Sequence, residues 1–228
     1  MNTHYTYLLI LAASLAGPLL LSFDKKVAFH SKWKYFFPAL SLPVTIYIIW
    51  DIYFTAKGIW SFNANYITGL TLFNLPVEEV LFFFVVPYCC VFIYECIKTY
   101  FPVLKEKRTA DVILMGIGLV LWMAGIIFYQ KAYTSWTFIM NAIFIALLYL
   151  YRNYFKSFDA AYFLVSYCIM LIPFLIVNGF LTAIPVVHYS DGTNLGIRIS
   201  TIPFEDIFYG MLLIMSTIVI YEKLREEN

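Results

Sequence analysis

Seven continuous apolar runs, each about the length of a membrane crossing, leave this chain few folds to choose from. The hydrocarbon core of a bilayer is about 30 Å thick and takes roughly 20 apolar residues as a helix. Windows of that size fall at 5–23, 35–54, 76–97, 111–129, 135–151, 160–183 and 203–221. The runs are unbroken and lack the in-out alternation of an outer-membrane barrel, so strands are not expected. Composition agrees, since 62% of residues are hydrophobic and the mean hydropathy is +0.80, far from a soluble domain. The expected fold class is an all-α integral membrane protein with seven transmembrane helices. No Lys or Arg precedes the first run, so it reads as a retained helix and not as a secretory signal.

A net charge of +1 gives no reason to expect nucleic acid as a partner, but the location of the basic residues is informative. Lys25, Lys26, Lys32 and Lys34 follow the first run. Lys98, Lys105, Lys107 and Arg108 follow the third, Arg152 and Lys156 the fifth, and Lys223 and Arg225 the seventh. These 12 of the 15 basic residues share one side, leaving Lys57, Lys131 and Arg198 on the other. By the positive-inside rule the rich side is cytoplasmic. The expected placement is a multi-pass protein of the cell membrane with its N-terminus outside and C-terminus inside. Cys89, Cys90, Cys96 and Cys168 fall within apolar runs without chelating spacing, and read as packing residues.

The chain also repeats itself. A shift of 127 residues lays Asp51 on Asn178, Thr55 on Thr182, Gly69 on Gly196, Pro76 on Pro203, Glu78 on Glu205, Glu79 on Asp206, Tyr94 on Tyr221 and Glu95 on Glu222. Helices 1, 2 and 3 thereby map onto 5, 6 and 7, with helix 4 unpartnered. An offset of four helices inserts both units in the same direction. Two parallel three-helix repeats joined by a connecting helix are expected, sharing a site at their interface. The corresponding divisions are 1–100 for the first repeat, 101–130 for the connector and 131–228 for the second repeat. Loops 55–75 and 184–202 should cover one end of a central cleft. Only the tail from Glu222 onward reads as merely solvated.

Both repeats carry the same oddity, "LPVEEVLFF" at 75–83 and "IPFEDIFYG" at 202–210, in which a proline, one spacer and two acids open an apolar run. A charged group at mid-bilayer costs on the order of 2.5 to 3.5 kcal/mol on insertion scales, so Glu78, Glu79, Glu205, Asp206 and Asp51 are candidate functional acids. Acids in a first helical turn also suit the helix dipole, which explains one motif better than its duplication and leaves Asp51 untouched. Trp50, Phe54, Trp60, Phe82, Phe83 and Tyr209 are candidate substrate-binding rings around them, since aromatic faces stabilise cations. Acids beside aromatics suit the protonation of an alkene and the steering of the resulting carbocation.

These residues carry a resemblance. "FDKKVAF" at 23–29, "WDIYFTAKGIWSFN" at 50–63, "LPVEEVLFFFVVPY" at 75–88 and "RISTIPFEDIFYG" at 198–210 resemble the small, membrane-integral lycopene β-cyclase family, in which two three-helix units are separate or fused through an extra helix. The resemblance implies cyclisation of lycopene through γ-carotene to β-carotene, with both carotenoids and membrane lipid as contacts and other carotenoid enzymes as neighbours. On this reading Glu78 and Glu205 transfer protons and Glu79 and Asp206 tune them or exchange protons with them, with donor and acceptor unassigned. Asp51 belongs to the same network, but its mate Asn178 cannot ionise, which favours one composite site over two identical ones. Arg198 reads as an ion-pair partner of a motif acid or as an interfacial anchor, and His188 as a loop residue.

No GxGxxG follows a strand, and "GIG" at 116–118 lies inside an apolar run where small residues serve helix packing. Neither a nucleotide cofactor nor a metal site is therefore expected, unlike the larger flavin-dependent cyclases. A retinal protein would need a Schiff-base lysine in the seventh helix, and a prenyl transferase an aspartate-rich diphosphate motif. Neither is present. The remaining alternative class is a proton-coupled transporter, which also combines parallel repeats with intramembrane acids.

Overall fold

The computed structural model describes residues 3–102 and 107–227, so Lys105 of the basic group lies outside the described residues. Its long helices are α1 (Thr6–Leu21), α2 (Trp33–Ala56), α3 (Val77–Tyr100), α4 (Lys107–Ile127), α5 (Ala132–Leu150), α6 (Ala160–Ala183) and α7 (Glu205–Glu226). With the 3-10 turns Thr3–Tyr5 and Phe29–Lys32 that lead into α1 and α2, all seven are long and apolar enough to cross a membrane, which makes the chain a multi-pass membrane protein. In lipid the helix answers every backbone polar group within its own segment.

The helices pack as a twofold arrangement. Within the halves α1 lies on α3 and α5 on α7, while between them α2 lies on α7 and α6 on α3. α3 and α7 touch at the centre, and α4 sits outside on α5 and α6. Gly118 and Gly125 let α4 approach α5, because a Cβ at Gly125 would stand 2.7 Å from Ile139 and one at Gly118 3.2 Å from Ile145. Gly116 meets nothing within 4 Å, so only one glycine of the "GIG" pair serves packing.

The loops at one end depart from the expectation of no strands. Six short strands form there: β1 (Trp60–Phe62), β2 (Thr71–Leu72), β3 (Leu75–Pro76), β4 (Val187–Tyr189), β5 (Arg198–Ile199) and β6 (Ile202–Pro203). β2 with β3 and β5 with β6 are small hairpins at equivalent places in the two halves. Gly69 and Gly196, repeat mates, both hold positive φ, at 85° and 74°, where side chains are strained. β1 pairs antiparallel with β4, with Trp60 opposite Tyr189, Ser61 opposite His188 and Phe62 opposite Val187. Trp60 and Phe62 are themselves the repeat mates of Val187 and Tyr189, so the twofold relation passes through the Ser61 and His188 pair.

The opposite end is also cross-linked between halves. Lys98 of α3 bonds Glu222 of α7 at 2.8 Å, and its mate Arg225 bonds Glu95 at 2.5 Å. Lys32 and the Tyr221 hydroxyl complete the shell of Glu95. Glu222 is thus buried and α7 continues to Glu226. This corrects the expectation of a solvated tail, because a carboxylate gains more from a fixed cation at the helix interface than sequence position alone suggests.

Candidate functional site

Strand alternation sends Trp60 and Phe62 to one face of the β1–β4 ribbon together with Val187 and Tyr189, while Ser61 and His188 face outward. The inward four roof a cavity of about 40 Å³, whose walls include Glu79 and Phe82 of α3, Asn178 of α6 and Asp206 and Tyr209 of α7. That volume exceeds the roughly 10 to 15 Å³ needed by one water, but it is narrow.

Two carboxylates from equivalent positions meet on this cavity. Tyr7 of α1 donates its hydroxyl to Glu79 Oε2 at 2.6 Å. Tyr133 of α5 donates to Asp206 Oδ1 at 2.5 Å, and Tyr189 donates to Oδ2 at 2.9 Å. Burial, and then the charge of Asp206 beside it, push the Tyr189 phenol well above the ordinary tyrosine range, which keeps it a donor. Tyr7 and Tyr133 are anchored alike, their backbone N–H groups bonding the carbonyls of Tyr66 and Thr193.

The neighbouring acids turn elsewhere. Glu78 Oε1 accepts from the Thr68 N–H at 2.7 Å. Its mate Glu205 accepts from the Leu195 N–H at 2.8 Å and the Thr134 hydroxyl at 2.5 Å. Each thereby ties the loop before its own helix to that helix, and in each the second oxygen is buried without a partner. Asp51 is buried on α2, where one oxygen accepts from the Trp60 indole N–H and the Thr55 hydroxyl, at 3.3 Å for Thr55. It fixes the ring that roofs the cavity.

Among the candidate rings, Trp60, Phe82 and Tyr209 line the cavity. Phe54 backs Trp60 with ring centroids 5.2 Å apart, and Phe83 packs on Tyr47 at 5.8 Å. Trp50 lies one layer out, 5.3 Å from Tyr209. Asn178 faces the cavity while its amide bonds the Phe174 carbonyl at 2.9 Å. Of the two readings of Arg198, an ion-pair partner of a motif acid or an interfacial anchor, the first is not realised: its guanidinium bonds Asp191 and the Thr201 carbonyl in the loop. The short β5–β6 hairpin holds it there. Among the described residues no group of three or more His, Cys, Asp or Glu is placed to hold a metal ion, and the four cysteines are free thiols.

Tyr7, Tyr133 and Tyr189 were not legible as site residues. A signal existed for two of them, a tyrosine opening the first helix of each half, but Tyr7 and Tyr133 stand 126 residues apart and not 127, which hides them from the gapless shift.

Fold and site together define a class: a duplicated seven-helix membrane protein whose halves deliver acids and tyrosines to one aromatic-walled cavity. The chain belongs to the lycopene cyclase family, whose profile, described as "Lycopene cyclase", matches residues 4–97 and 130–224, one segment in each half. It is also similar to proteins described as bifunctional lycopene cyclase/phytoene synthase. The one from Leptosphaeria maculans is 39% identical over 80 residues, covering 35% of this chain and 12% of the relative. The one from Phaeosphaeria nodorum is 38% identical over 55 residues, covering 24% of this chain and 9% of the relative. The chain thus matches about a tenth of the length of these relatives. No solved structure matches it.

Proposed function

We propose that this protein cyclises the acyclic ends of lycopene to β-rings through γ-carotene, with Glu79 and Asp206 as the proton-transferring pair. The observation that carries this reading is the convergence of these two carboxylates, each held by a tyrosine hydroxyl, on one cavity walled by Trp60, Phe82 and Tyr209. Glu78 and Glu205, favoured for proton transfer from sequence, are assigned instead to holding the loops. The halves 1–100 and 131–228 build one composite site, and 101–130 connects them.

The chemistry balances with protons alone. A carboxylic acid protonates C2 of the C1–C2 double bond, leaving a cation at C1. The C5–C6 double bond attacks C1, closing the ring and moving the cation to C5. A carboxylate then removes the C6 proton, restoring a C5–C6 double bond. No electrons enter or leave. Rings facing the cavity stabilise the moving cation. A cavity of about 40 Å³ is too small for a ten-carbon end group, so its aromatic walls must turn aside during turnover.

Purified protein in lipid, exchanged into D₂O, should convert lycopene and place one deuterium at C2 of each ring closed. Unchanged lycopene, as a carrier would leave it, or unlabelled rings would overturn the reading, as would a strict requirement for reduced flavin.

A further inference from the structure

The substrate of such a site is many times longer than the cavity, so most of it must lie elsewhere. α2, α5 and α7 leave between them a groove of about 600 Å³, within the usual range for ligand sites. Its walls are helical faces read at three- and four-residue spacing: Ile46, Trp50 and Tyr53 from α2, and Leu212, Ser216 and Ile220 from α7. Along α2 it runs from Leu42 to Tyr53, about 16 Å at 1.5 Å per residue. Ser216 spends its one hydroxyl donor on the Leu213 carbonyl, so it has no donor left for a polar ligand. A rod-like apolar molecule suits this shape and chemistry.

The groove adjoins the acid cavity. Tyr47 and Trp50, which line it, lie with ring centroids 4.8 and 5.3 Å from Tyr209, which lines the cavity on its other face. The Tyr47 hydroxyl bonds the Tyr209 carbonyl at 2.8 Å. Three rings therefore form the partition between groove and carboxylates. The repeat supplies a counterpart between α1, α3 and α6, built from the mates Phe174, Val177 and Cys89 of Tyr47, Trp50 and Ser216, but of only about 200 Å³.

We propose that the α2, α5 and α7 groove binds the polyene chain of the substrate, and that Tyr47, Trp50 and Tyr209 are the gate through which an end group reaches the acids. The identity of the polyene rests on the cyclase reading. The occupant is committed to by the ring contacts through which the groove meets the acid cavity and by size: the counterpart groove shares Val86, Phe174 and Asn178 with that cavity but has a third of the room.

The repeat offers a matched test. In a Glu79→Gln background, which spares the substrate, Cys89→Ser with Ser216→Cys moves a thiol from the small groove to the equivalent place in the large one. Each protein in nanodiscs is treated with an apolar maleimide, and labelling is read by peptide mass spectrometry with and without lycopene. At about ten times its Kd, lycopene should slow labelling at position 216 roughly tenfold and leave Cys89 of the parent unchanged. Unchanged labelling at 216, meaning that lipid alone fills the groove, or equal or sole protection of Cys89, would overturn the proposal. Met140→Cys on the facing wall repeats the measurement should Ser216→Cys fail to fold. Conversion of lycopene by the native chain without protection at 216 rejects the groove alone. Protection at 216 with no conversion of lycopene by the native chain keeps the groove and rejects the cyclase reading.

Discussion

The Tyr7 hydroxyl donates to the Glu79 carboxylate at 2.6 Å, joining the start of α1 to the start of α3, and Tyr133 repeats the bond to Asp206 in the other half. Each tyrosine fixes the orientation of an acid that would otherwise turn among rotamers. Hydrogen bonds to charged groups are worth about 1.5 to 3 kcal/mol. Tyr7→Phe and Tyr133→Phe should each lower kcat by roughly tenfold or more with little change in membrane yield, measured as cyclised carotenoid formed per protein. Native turnover in both variants would remove the tyrosines from the site.

The two acids of each motif should separate cleanly. Glu79→Gln and Asp206→Asn are expected to lose on the order of 10² to 10⁴ in rate, the range of general acid-base catalysis. Glu78→Gln and Glu205→Gln keep an oxygen to accept the Thr68 and Leu195 N–H groups, and should stay within about tenfold of native activity. The reverse ranking would return proton transfer to Glu78 and Glu205.

Asp51 should tolerate Asn and not Ala. Asn still accepts from the Trp60 indole, whereas Ala strands a buried donor at a cost of about 1 to 3 kcal/mol. Thermal denaturation in detergent, followed beside activity, tests this. Equal loss of activity in Asp51→Asn and Asp51→Ala would assign Asp51 a proton-transfer role instead.

The far end predicts a stability effect without a chemical one. Glu95 is buried against the part-exposed Lys32 and Arg225 and against Tyr221, and a hydrogen bond to a charged group is worth about 1.5 to 3 kcal/mol. Glu95→Ala should lower Tm clearly, and the protein that remains folded should keep its turnover number. An unchanged Tm would show that these pairs do not hold the halves together.

Orientation is tested separately. With 12 of 15 basic residues assigned to one side, a reporter fused after Asn228 should behave as cytoplasmic. An external reporter would reverse the orientation of the whole chain.

The sequence by itself determined the number of helices, the duplication and the short list of acids. Each follows from local quantities: the length of an apolar run against the bilayer, residue identity under a fixed shift, and the cost of a charge in lipid. It also placed Glu79, Asp206, Trp60 and Tyr209 among the candidates. It did not distinguish Glu78 from Glu79, because adjacent positions on a helix point about 100° apart and only the packing of α1, α5 and the loops shows which direction is the cavity. Nor did it pair Trp60 with Tyr189, since a three-residue strand has too little pattern to announce itself and exists here only because its repeat mate lies opposite. The tyrosines that hold the acids, the ring that Asp51 anchors and the burial of Glu222 are all contacts between segments 9 to 130 residues apart. Tertiary structure alone decided them, because each depends on where a second helix or strand places its partner.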